Sequence, residues 1–127
     1  MSSTDSPAPA RRPLAVLDLE TTGIDPNDDR IVEVGVVHVA ADGTETRHVW
    51  RINPGRPIPP EASAVHGISD ADVSDEPGFA QRAEEIAGVL QGCDLAGYNL
   101  LAFDLGLLGV EFARVRIDFP DPTARIV

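Results

Sequence analysis

A hydrophobic strand that runs straight into two carboxylates constrains this chain of 127 residues more than any other feature. Leu14-Ala15-Val16-Leu17-Asp18-Leu19-Glu20 is followed at once by Thr21-Thr22-Gly23. Successive side chains in a strand alternate faces, so Asp18 and Glu20 point the same way, about 6 to 7 Å apart. Two like charges held that close raise each other's pKa unless something positive lies between them, and oxygen-only donors suit a hard divalent cation. The two threonines add hydroxyls, and Gly23 lets another backbone approach closely. A solvated edge strand would instead carry polar residues alternating through Leu14 to Leu17. A phosphatase of the aspartyl-phosphate type also opens on an Asp-x-acid pair, but it needs a later lysine, and the chain has none. The same absence removes a P-loop nucleotide site.

A third acid follows from helical rather than strand periodicity. A helix from about Asn99, which can cap it, to Arg114 places Leu100, Leu101, Phe103, Leu107 and Leu108 on one face, with Asp104 near its centre. The helix dipole favours a carboxylate in the first turn by roughly 0.3 to 1 kcal/mol. Burying an unpaired charge costs several kcal/mol, so a cation is the better compensation. Glu111 lies on the same face two turns on, and reads as a solvated or salt-bridged residue beyond the core.

The rest of the chain alternates strand and helix patterns. Ile31 to Val39 is a strand, Asp42-Gly43 a hairpin turn, and Thr44 to Ile52 a half-exposed strand. Asn53 to Pro60 is an extended loop and Glu61 to His66 a short helix. Phe79, Ala83, Ile86, Ala87 and Leu90 mark an amphipathic helix over 79–90. Asp94 to Tyr98 is a short buried strand, and Val115 to Asp118 is expected to begin another. Three strands, then helix, strand and helix, make an α/β fold with a mixed sheet.

Three ordered stretches carry a resemblance. Asp18-Leu19-Glu20-Thr21-Thr22-Gly23, then Val65-His66-Gly67-Ile68, then Gly97-Tyr98-Asn99-Leu100-Leu101-Ala102-Phe103-Asp104 resemble the motifs of the DEDD superfamily of 3′-to-5′ exonucleases, over most of residues 14 to 119. The resemblance implies a ribonuclease H-like three-layer fold. It implies two Mg2+ or Mn2+ ions per site in an intact domain, with Asp18, Glu20 and Asp104 as catalytic metal ligands. Asp18 would bridge both ions, Glu20 would bind the nucleophile-side ion, and Asp104 would hold the second, partly through water. It further implies substrate contacts from Leu19, Thr21, Thr22, Gly23, His66, Asn99 and Phe103, although Phe103 by its pattern alone reads as core and His66 as surface structure. His66 is not read as a general base. The implied substrates are single-stranded or frayed 3′ ends of DNA or RNA, with a polymerase or another protein as companion. The family's third motif, His-x-x-x-x-Asp, has no match after Asp104, and no His occurs beyond His66. The chain therefore reads as C-terminally truncated and nearly inactive, or else as a non-catalytic remnant that binds nucleic acid or protein.

Composition sets bounds on this. Residues 1–13 read as a disordered tail and 14–127 as one domain. The net charge of −11 argues against a simple basic nucleic-acid footprint, though bound cations can supply the local positive charge. A single cysteine, Cys93, and no apolar run near the roughly 20 residues a membrane helix needs fit a cytoplasmic protein without membrane partners.

Overall fold

A computed structural model describes residues 12–97 and 101–127, so the expected N-terminal tail falls almost wholly outside the described residues, as does Asn99. The order is β1 (Leu14–Thr21), β2 (Ile31–Val39), β3 (Glu45–Arg51), α1 (Pro60–His66), α2 (Asp70–Val73), α3 (Phe79–Leu90), β4 (Asp94–Gly97) and α4 (Leu101–Arg114). The strands form one sheet in the order β3-β2-β1-β4, antiparallel except for the parallel β1 and β4 pair. This is the mixed-sheet α/β architecture that the patterns call for.

The alternation in β1 decides which face is core. Ala15, Leu17 and Leu19 turn inward with Val34, Val36 and Leu95, and α3 and α4 cover them with Ile86, Leu90, Leu107, Leu108 and Phe112. Phe112 meets Phe79 edge-on at 5.1 Å between ring centres, which fastens the two helices together. Each fully buried side chain of this size contributes about 1.5 to 3 kcal/mol. The opposite face is open: a groove of about 510 Å³ runs over Val16, Asp18, Gly35, Val37 and Val49.

A bulge sets the geometry at the end of β1. Glu20 stands opposite Glu33, but Thr21 stands opposite Ile31, so Val32 is the extra residue. Ile31 thereby stays on the main core, while Val32 packs with Ile58, Ile68 and Val73 in a smaller cluster under α1 and α2. Helix α2 has no counterpart among the elements expected from the sequence. Ser69 and Asp72 form a reciprocal cap there, a pairing signalled by their three-residue spacing.

The expected strand at Val115–Asp118 does not form. The N–H of Ile117 bonds to the carbonyl of Phe112, and that of Arg116 to Ala113, with Arg116 at φ 62°. That is a Schellman closure of α4, and Val115 and Ile117 pack against the main core instead of alternating along a strand. Residues 124–127 do approach the sheet, where Ile126 bridges Leu95 in parallel.

Candidate active site

Strand β4 pairs with Leu14 to Leu17, and among the described residues nothing pairs with that edge of β1 from Asp18 onward. Helix α4 packs on both of these strands. A β-carbon on Gly97 would lie 2.5 Å from that of Leu101, so these two residues approach closely. The first turn of α4 carries Asp104, which is 5% exposed. Asp18 and Glu20 share the face of β1 opposite the core, with Glu33 beside them on β2.

The three carboxylates share one electrostatic field. Burial, then the charges of Asp18 and Glu20, push the Asp104 carboxyl up to about 6. Desolvation raises Glu20 as well, with Asp18 and Glu33 adding to the rise and His66 opposing it. Asp18 is raised by desolvation and by Glu33. Among the described residues none of the three takes part in an ion pair, whereas Glu33 is held by Arg51 at 2.9 Å. Nor, among the described residues, do three Asp, Glu, His or Cys side chains stand close enough to enclose one ion. The three acids nevertheless sense one another's charge, Asp104 through Asp18 and Glu20, and Glu20 through Asp18.

Beside Glu20 lies a cleft of about 340 Å³, whose walls come from Thr21 to Ile24 and from α1. His66 ends α1 and faces this cleft. Its Nδ1 accepts from the Ile68 N–H at 3.1 Å, so Nε2 carries the proton and donates to the Thr21 carbonyl at 3.1 Å. Both ring nitrogens are engaged, which suits a wall residue and not a base. Gly23 sits in the cleft wall with the Asp29 carboxylate pressed where a β-carbon would be. The Thr21 hydroxyl donates to the Gly23 carbonyl at 2.6 Å.

Three residues expected to touch substrate are placed differently. Leu19 turns its side chain into the core at 7% exposure, so any contact from it is limited to the main chain. Thr22 is buried, and its hydroxyl donates to Asp29 and accepts from the Arg30 N–H, which commits it to the loop. Phe103 packs against the main core, as its position in the apolar pattern indicates. Asn99 lies outside the described residues.

Sequence reasoning missed the rim of the cleft. Ile24 and Val65 stand on either lip, each 86% exposed, and Glu61 joins the α1 wall. The available signal was an isoleucine in an otherwise polar turn, facing a valine on a short helix with no buried residue. Glu111 was also misplaced: it is salt-bridged, as read, but at 2% exposure it is inside the protein.

Comparison with known proteins follows the same lines. A family model described as Exonuclease matches residues 15–126. The DNA polymerase III subunit epsilon of Escherichia coli (strain K12) is 37% identical over 112 residues, covering 83% of this chain and 45% of that protein. The 3′-5′ exonuclease DinG of Bacillus subtilis (strain 168) is 33% identical over 107 residues, covering 84% of the chain and 11% of that protein. Among solved structures, E. coli exonuclease I in complex with a dT13 oligonucleotide superposes with a TM-score of 0.77 at 20% identity, over 91% of this chain and 27% of that one. The chain thus spans less than half the length of these relatives. No helix among the described residues is long and apolar enough to cross a membrane.

Proposed function

The chain belongs to the exonuclease family, and on that premise we propose that it is the metal-binding portion of a domain that removes nucleotides from 3′ ends of DNA or RNA. The observation that carries this reading is the set Asp18, Glu20 and Asp104, all with raised proton affinity and none ion-paired among the described residues. Hard oxygen donors that repel one another, with Asp104 buried in the first turn of a helix, fit Mg2+ or Mn2+. Bound there, two such ions would offset phosphate charge and lower the pKa of a water at neutral pH.

The chain's own residues supply position and selection. Asp18 and Glu20 offer oxygens from the strand, and Asp104 offers its own from the helix. The neighbouring cleft would take the terminal sugar and base, with Thr21, Gly23 and His66 as its polar wall and Ile24 and Val65 as apolar lips. A base entering between those lips must leave its stack, which costs a few kcal/mol when it is paired. Single strands and frayed ends are therefore the natural substrates. A polymerase or another protein as companion rests on the kinship with polymerase subunits.

The test is a 3′-labelled single strand incubated with Mn2+ and the purified chain. Release of 5′-mononucleotides is expected, slow because no His lies beyond His66 to act as base, and lost in Asp18→Asn. Release that survives Asp18→Asn, or cutting that starts at the 5′ end, would overturn the proposal.

A further inference from the structure

Helix α4 carries a second buried acid that the hydrolytic site does not use. Glu111 accepts from Arg30 Nε at 3.0 Å and Arg30 Nη2 at 3.1 Å, a two-pronged contact, and from Arg114 Nη1 at 3.1 Å. It also takes the Ile31 N–H at 3.3 Å. These donors mark a specific place. Ile31 pairs with Thr21, and the Arg30 carbonyl accepts the Thr22 N–H at 2.9 Å, so Glu111 grips the sheet one or two residues past Glu20. Arg30 also closes the loop that forms one wall of the cleft, through its own N–H to the Thr22 hydroxyl.

Among the described residues, Leu107, Leu108 and Phe112 join α4 to the core of the sheet by apolar contact. Such contacts are non-directional and resist separation better than they resist sliding. A helix that slips by one residue moves about 1.5 Å along its axis, which is enough to spoil a site that must hold to about 0.5 Å. We propose that the Arg30–Glu111 pair is a positioning device: it fixes the register of α4 against β1 and so limits how far Asp104 must move to join Asp18 and Glu20 around divalent cations. This rests on the cation reading above. A buried ion pair is weak evidence for stability by itself, and its better-attested use is to specify one arrangement among several. The two-pronged guanidinium supplies the direction that such a role requires.

The probe is Mn2+ alone, titrated into the 127-residue chain and followed by electron paramagnetic resonance. Glu111→Gln and Arg30→Met are expected to weaken Mn2+ binding about tenfold, with the double variant no worse than either single one. Arg30→Lys, which keeps the charge and loses the fork, should fall between and remain folded. Ile86→Val, in the core on α3, provides a variant that loses stability without touching α4's polar contacts. Unchanged Mn2+ affinity in Arg30→Lys and Glu111→Gln would overturn the proposal, as would equal weakening in Ile86→Val. Failure of the unsubstituted chain to bind Mn2+ would sink the cation reading and this proposal together; binding that ignores Glu111 would sink this one alone.

Discussion

The two ends of α4 each bury a carboxylate, and their surroundings are opposite. Asp104 is 5% exposed and Glu111 2%, and both lie on the same face of the helix. Glu111 is answered inside the protein by two guanidiniums and a backbone N–H. Asp104 faces two more acids, and its carboxyl is pushed up to about 6. Burial alone therefore says little about the role of an acid; what compensates its charge says much more. An acid satisfied from within needs no partner from outside, whereas one left to its own kind is, on the function proposed above, the one that a cation would complete.

Removing the internally satisfied acid should have the largest effect. Glu111→Ala leaves Arg30 and Arg114 without their partner and should lower stability by about 3 to 5 kcal/mol in urea unfolding. If it cost under about 1 kcal/mol, the contrast between the two ends would disappear.

Removing the uncompensated acid should have the opposite sign. The folded-state pKa of Asp104 lies above its ordinary 3.8, so the folded chain binds more protons than the unfolded chain between pH 4 and 6. The contribution of this group to stability is thus intact below about pH 4 and lost as pH rises through about 6. Asp104→Asn should then stabilise the cation-free chain at pH 7 by up to ~3 kcal/mol and leave it unchanged near pH 3.5. A matched pair of unfolding curves at the two pH values checks this, and destabilisation at pH 7 would refute it.

Cations should erase that difference. Mn2+ at about a hundred times its dissociation constant would stabilise the unsubstituted chain by about 2.7 kcal/mol at pH 7 and Asp104→Asn by clearly less. Equal gains in melting temperature for both would place the ion elsewhere. The smallest effect belongs to the rim: Ile24→Ser or Val65→Ser should weaken binding of a mononucleotide in Mn2+ by about 1 kcal/mol with little change in melting temperature, because both side chains are already in water.

Local periodicity made much of this legible. A period of two put Asp18 and Glu20 together, and a period of 3.6 put Asp104 on an apolar face. The same rules placed Glu111 on that face too, yet could not tell its character, because Arg30 lies 81 residues away along the chain. Val115 and Ile117 misled for a related reason. Two apolar residues with one between them describe a strand or a Schellman closure equally well, and the turn at Arg116 decides.

Residue order alone thus determined the strand and helix periods, and with them which acids share a face and the class of fold. Only the folded chain decided that α4 packs on β1 with Asp104 in the field of Asp18 and Glu20, that Arg30 answers Glu111, and that Ile24 and Val65 frame one cleft. The reason is the range of the forces involved. Backbone geometry and side-chain alternation act over a few neighbours, whereas charge compensation and cleft walls depend on groups that the chain brings together from far apart.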